Sequence, residues 1–120
     1  SKQPGFGDPD LTLVFGAGQL YSTARDLALW DRALASGKVL PRTQARFFQP
    51  NLGSYGYGWV ISERDGVTIQ WHNGALTPVG FSALIARVPE KDRMVAFLAN
   101  VDVGVVDPLV SKLVKRAAAK

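Results

Sequence analysis

"YGYGWVISERDGVTIQWH", residues 55–72, decides how the rest of the chain is read. Upstream of it apolar residues recur at helical spacing, whereas from here on they alternate, so the chain passes from helix into sheet. Two runs, "YGYGWVIS" and "VTIQWH", flank Glu63-Arg64-Asp65-Gly66, and the Asp-Gly pair predicts a hairpin. In the second run Val67, Ile69 and Trp71 share one face, and Thr68, Gln70 and His72 the other. Alternation therefore puts His72, the only histidine, on the polar face.

Downstream, "VGFSALIARV" and "RMVAFLAN" form two more strands around a turn at Pro89–Asp92. Both are apolar almost throughout, so cover is expected on both of their faces. Asp107-Pro108 is expected to cap a terminal helix, with Leu109, Val110, Leu113, Val114 and Ala117 as its apolar stripe.

Upstream, Thr23 with Asp26 three residues on fits a helix cap, Leu27, Trp30 and Leu34 follow at helical spacing, and Gly37 suits the stop. "LPRTQARFFQP" predicts a shorter helix over 41–48, after a strand in "LTLVFGAGQL" and an irregular lead-in over residues 1–14. The expected class is α+β: an antiparallel sheet of three to four or more strands, meandering in sequence order, with helices packed on it. Such a sheet has two open edges, and little in the first 50 residues can pair with them.

The bulk numbers narrow the function classes. With 120 residues, 47% hydrophobic and 20% charged, the chain reads as one globular unit. Zero cysteines exclude disulfides, thiolate catalysis and thiolate metal sites, without fixing the compartment. The net charge of +4 comes from scattered basic residues apart from "KLVKRAAAK", where cations suit the last turns of a helix. Nucleic-acid binding is not expected, since no basic stripe is interleaved with exposed aromatics. No apolar run nears the roughly 20 residues a membrane span needs.

Candidate chemistry centres on "WHNGALTP", residues 71–78, where glycine at the strand end allows close approach of a ligand or another backbone. A metal site lacks a second histidine or a tight carboxylate cluster, so neither metal nor cofactor is expected. "GAG" at 16–18 lacks the remaining spacing of a phosphate loop. "GFSAL" has one glycine and one serine of a nucleophile elbow, but sits within a strand.

"GAGQLYSTARDLALWDRAL", "YGYGWVI" and "WHNGALTPVGFSALIARVPEKDRMVAFLAN", followed by the terminal helix, resemble in the same order segments of the serine β-lactamase-like superfamily. That superfamily takes in class C β-lactamases, penicillin-binding D,D-peptidases and related esterases. The resemblance covers nearly all of residues 15–118. Its active site joins Ser-x-x-Lys, Tyr-x-Asn and a Lys-Thr-Gly or His-x-Gly edge strand. His72-Asn73-Gly74 matches the third, while no serine here has a lysine three residues on and no tyrosine has an asparagine two residues on. The chain thus looks like the C-terminal segment of a larger hydrolase domain, beginning after the nucleophile.

The resemblance implies catalytic roles for His72, Asn73, Gly74 and Ala75, with the N–H of Ala75 as one of two oxyanion donors. Histidine, only partly charged near neutral pH, would hold a carboxylate less firmly than the family's lysine, which favours esters or D-amino-acid peptides over β-lactams. Thr77 and Tyr57 are the candidate substrate contacts; Tyr55, Tyr57 and Trp59 could line the cleft entrance, but strand packing explains them better. Capping explains Ser22, Thr23 and Asp26 better than catalysis does.

The expected partner is a small acyl substrate, bound only with the N-terminal half, and the isolated chain is expected to be inactive. The alternative is a non-catalytic binding or assembly domain that adds a strand or swaps through its open edge. By resemblance the setting is periplasmic or extracytoplasmic, with the cytoplasm left open.

Overall fold

The computed structural model describes residues 16–18, 20–43, 46, 48–76, 80–101 and 103–119, without the side chains of 103–107 and 110. The lead-in over residues 1–14, the strand expected ahead of Gly16, and Thr77 and Pro78 lie outside the described residues.

Helix α1 spans Ala24–Ala35. The Thr23 hydroxyl oxygen accepts the Asp26 N–H at 3.1 Å while its own proton goes to the Asp26 carboxylate at 2.9 Å. Two groups at the helix start are thereby satisfied together, and Asp26 also lies where the helix dipole favours negative charge. The helix stops where Gly37, at φ 72°, enters the left-handed region. Of the helix expected over 41–48, residues 44, 45 and 47 lie outside the described residues; Arg46 is helical, and its N–H meets the Thr43 carbonyl at 3.0 Å.

Strands β1 (Val60–Arg64), β2 (Val67–Leu76), β3 (Phe81–Val88) and β4 (Arg93–Ala99) form one antiparallel sheet in the order β1-β2-β3-β4. The β1–β2 turn holds Asp65 at φ 53° and Gly66 at φ 76°, the paired positive values that match a two-residue turn to strand twist. A 3₁₀ turn, Pro89–Lys91, joins β3 to β4, and Asp92 closes it at φ 48°. Strand β1 begins only at Val60, so "YGYG" is loop and not strand as its alternation suggested. Gly58, at φ 82°, breaks the extended run.

Helix α2 spans Val103–Ala118 and packs Val114, Ala117 and Ala118 on the sheet face that carries Ile69, Leu84, Ala86 and Val88, with Val67, Trp71, Val95 and Phe97 around them. This is the core. The helix starts four residues before the expected Asp107 cap and carries Pro108 inside it. A proline disfavours helical backbone in the residue before it, and the fold overrides that local preference. Of the expected stripe, Leu109 is 49% exposed while Val114 and Ala117 pack inward. Lys91 Nζ reaches the Ala118 and Ala119 carbonyls, both at 2.7 Å, and Arg93 reaches Ala119 at 3.0 Å. Lys91 of the β3–β4 turn and Arg93 at the start of β4 thus close the helix C-terminus.

The opposite face has different chemistry. Residue 87 alternates away from Ala86 and Val88, and there Arg87 pairs with Asp31 of α1, which lies against β4. Asp31 and Leu34 are the buried residues of α1, whereas Trp30, expected on the inner stripe, is 46% exposed. The expectation of full cover on both faces of β3 is therefore corrected. The row Ser82, Leu84, Ala86 and Val88 is buried, and the row Ala83, Ile85 and Arg87 is only half-buried. Helix α1 meets this face at Arg87, through Asp31.

Candidate active site

His72, Asn73, Gly74 and Ala75 lie on the second half of β2, and the register sets their surroundings. On one side β3 pairs along the whole stretch, from His72 with Ile85 to Leu76 with Phe81. On the other side β1 stops at Val60, opposite Trp71. From His72 onward, then, no strand flanks β2 on that side among the described residues, although β2 is an inner strand at its start. An antiparallel strand directs the N–H and C=O of successive residues to opposite sides, so Asn73 and Ala75 share one side.

Side-chain alternation places His72 and Gly74 with Gln70 on the α1 face, opposite the terminal helix, and Asn73 and Ala75 with Trp71 on the other. His72 is half-buried, and Asn73, Gly74 and Ala75 are exposed. At Gly74 an added Cβ would meet only the Ala83 Cβ, at 3.6 Å, an ordinary contact. The fold itself does not require glycine there.

Both ring nitrogens of His72 are engaged. Nδ1 lies 2.7 Å from the Asn73 carbonyl oxygen and Nε2 lies 2.6 Å from the Tyr55 hydroxyl. Tyr55 reaches the ring from 17 residues away. An isolated bridge sets it beside Val60, whose partner across the hairpin is Trp71, the neighbour of His72. The Ser54 carbonyl accepts the Ile61 N–H at 2.7 Å and fixes the same loop. Below it, Trp59 is buried and meets Phe48 ring to ring, centroids 5.4 Å apart.

The sequence offers Tyr55 only as a cleft-entrance or packing residue, and local periodicity carries no trace of its contact with His72. Only the hairpin closure brings it to His72. Tyr57, which was singled out, is exposed in the loop before β1, and Thr77 lies outside the described residues.

The other nucleophile-like pattern has a structural explanation. Ser82 of "GFSAL" is buried, and its hydroxyl donates to the Val101 carbonyl at 2.7 Å, tying β3 to the segment before α2. Among the described residues no group of three or more His, Cys, Asp or Glu side chains is placed to hold a metal ion, and no helix is long and apolar enough to cross a membrane.

No curated protein and no solved structure matches the chain. A family model does: the one described as Beta-lactamase matches residues 1–120. Its match spans the edge strand, the hairpin and both helices alike, and so the chain belongs to the beta-lactamase family, with the serine-hydrolase ancestry that this family carries.

Proposed function

We propose that this chain is the C-terminal portion of a serine hydrolase acting on a β-lactam, a D-amino-acid peptide or an ester, to which it contributes the His-Asn-Gly edge strand. Acyl transfer through a serine passes through a tetrahedral oxyanion that needs two N–H donors. One is the main-chain N–H of Ala75, and the other belongs to the nucleophile, which this sequence does not contain in a Ser-x-x-Lys setting. Thr77 and Tyr57 are proposed to contact the substrate. The observation that carries the reading is the stretch 72–76, paired with β3 on one side and flanked by no described strand on the other, with the His72 ring at its start. Exposed apolar side chains, among them Leu20 at 96% and Tyr21 at 92%, support a further polypeptide covering this unit.

The test is hydrolysis of nitrocefin and p-nitrophenyl esters by the chain alone and with an N-terminal fragment bearing Ser-x-x-Lys. No turnover alone and measurable turnover on mixing is the expected result. Robust activity from the 120 residues by themselves would overturn the split-site reading.

The open edge also favours a second reading, a binding or assembly domain that captures a strand. Light scattering separates the two. A monomer that stays monomeric at high concentration counts against strand capture.

A further inference from the structure

We propose that Tyr55 is a positioning residue for His72: its hydroxyl anchors Nε2 of an imidazole whose Nδ1–H is fixed by the Asn73 carbonyl, and so steadies the edge strand on which the Ala75 N–H is carried. The proposal rests on the assignment of His72 to the site above, and it begins from a constraint on protons. The Asn73 carbonyl oxygen has no proton to give, so at 2.7 Å Nδ1 must be the donor. A neutral ring protonated at Nδ1 keeps its lone pair on Nε2. There the Tyr55 hydroxyl, at 2.6 Å, donates. The two rings stand nearly perpendicular, at 80° with centroids 5.8 Å apart, so they are not stacked face to face and the hydroxyl makes the polar contact.

This arrangement has a mechanical consequence. If the ring gains a proton, Nε2–H donates to the Tyr55 oxygen while Nδ1–H stays on Asn73. Charge can therefore change without the ring turning, which a histidine bonded at one nitrogen does not ensure. The bond to Asn73 also restrains the peptide that leads into Gly74, one residue before Ala75, and Asn73 and Ala75 direct their main-chain groups to the same side of the strand. Tyr55, the imidazole and the Asn73 carbonyl form one chain of hydrogen bonds. It runs from the loop before β1 to the backbone proposed to meet the oxyanion.

The chain has one histidine, so ¹⁵N-labelled protein reports its two ring nitrogens without overlap from any other. At about pH 8 the wild-type spectrum should show a protonated Nδ1 and an unprotonated Nε2. In Tyr55→Phe, which keeps the ring and removes the hydroxyl, Nδ1 should stay protonated while the Nε2 resonance moves downfield, toward that of a lone pair that accepts no hydrogen bond. A wild-type ring protonated mainly at Nε2 overturns the proposal, and so does an unmoved Nε2 resonance in a folded Tyr55→Phe chain. The wild-type spectrum alone decides the first point, whether or not the variant folds. Neither measurement needs turnover, so a failed hydrolysis assay and a failed tautomer assignment are separate results.

Discussion

Asp31 of α1 and Arg87 of β3 form an ion pair with side chains only 6% and 11% exposed, the polar link between the first helix and the sheet. Asp92 is the second partner of Arg87, at 3.3 Å, but is itself 94% exposed. Removing Asp31 leaves the guanidinium largely buried with that one weak contact. Asp31→Ala should cost about 2–4 kcal/mol in urea unfolding, because a lone buried charge is expensive. Replacing both partners, Asp31→Leu with Arg87→Met, should regain most of that loss. A single-variant cost below about 1 kcal/mol would show that the pair is dispensable.

Gly74 yields a prediction in which stability and activity move in opposite directions. Its φ lies outside the left-handed region and an added Cβ has room at 3.6 Å from Ala83. Gly74→Ala should raise stability by about 0.5–1 kcal/mol, since glycine within a strand loses more conformational freedom on folding. On the proposed function, the same variant should lower ester hydrolysis in the reconstituted enzyme by crowding the α1 face beside His72. Thermal melts and the mixed-fragment assay measure the two effects separately, and equal activity would remove the close-approach role assigned to this glycine.

The cations at the end of α2 should matter to stability in a salt-dependent way. Lys91 serves two terminal carbonyls at 2.7 Å each. Lys91→Met should cost about 1 kcal/mol, from the lost hydrogen bonds and the lost charge at the negative end of the helix dipole. The difference from wild type should shrink as salt rises. If it stays constant, packing of the lysine stem is the larger effect.

Acid sensitivity should include a contribution from Glu90. Hydrogen bonding from the Thr68 side chain, then Glu90's own main-chain N–H, holds its carboxyl below the ordinary value of 4.5, against a small opposing effect of burial. The Thr68 main-chain N–H also donates to Oε1, at 3.0 Å. With a lower value folded than unfolded, ionised Glu90 stabilises the fold above pH 4.5, and that contribution is lost as pH falls through the folded value. Glu90→Gln should therefore narrow its stability gap to wild type on acidification. A gap that is flat from neutral to acid pH would contradict the assignment.

The sequence by itself determined the order of the sheet and the register of its first hairpin. The alternation of Val67, Ile69 and Trp71, with Asp-Gly at 65–66, specifies a hairpin, and a one-residue slip would turn the core-facing residues Ile69 and Trp71 to the other face. Thr23, Asp26 and Gly37 likewise marked the ends of α1, because caps act within a few residues of themselves. His72 was legible for the same reason: alternation alone places it opposite Ile69 and Trp71.

What only the tertiary structure decided are the relations between residues far apart in the chain. Nothing near Tyr55 signals that it meets His72, since that contact depends on where β1 begins and how the loop before it folds back. Nothing near Trp30 signals exposure or near Asp31 burial, because the partner that draws Asp31 inward lies 56 residues on. Local periodicity records which face a side chain takes. Which other element waits on that face is set by packing, and a half-covered sheet face such as that of Ala83, Ile85 and Arg87 follows from packing alone.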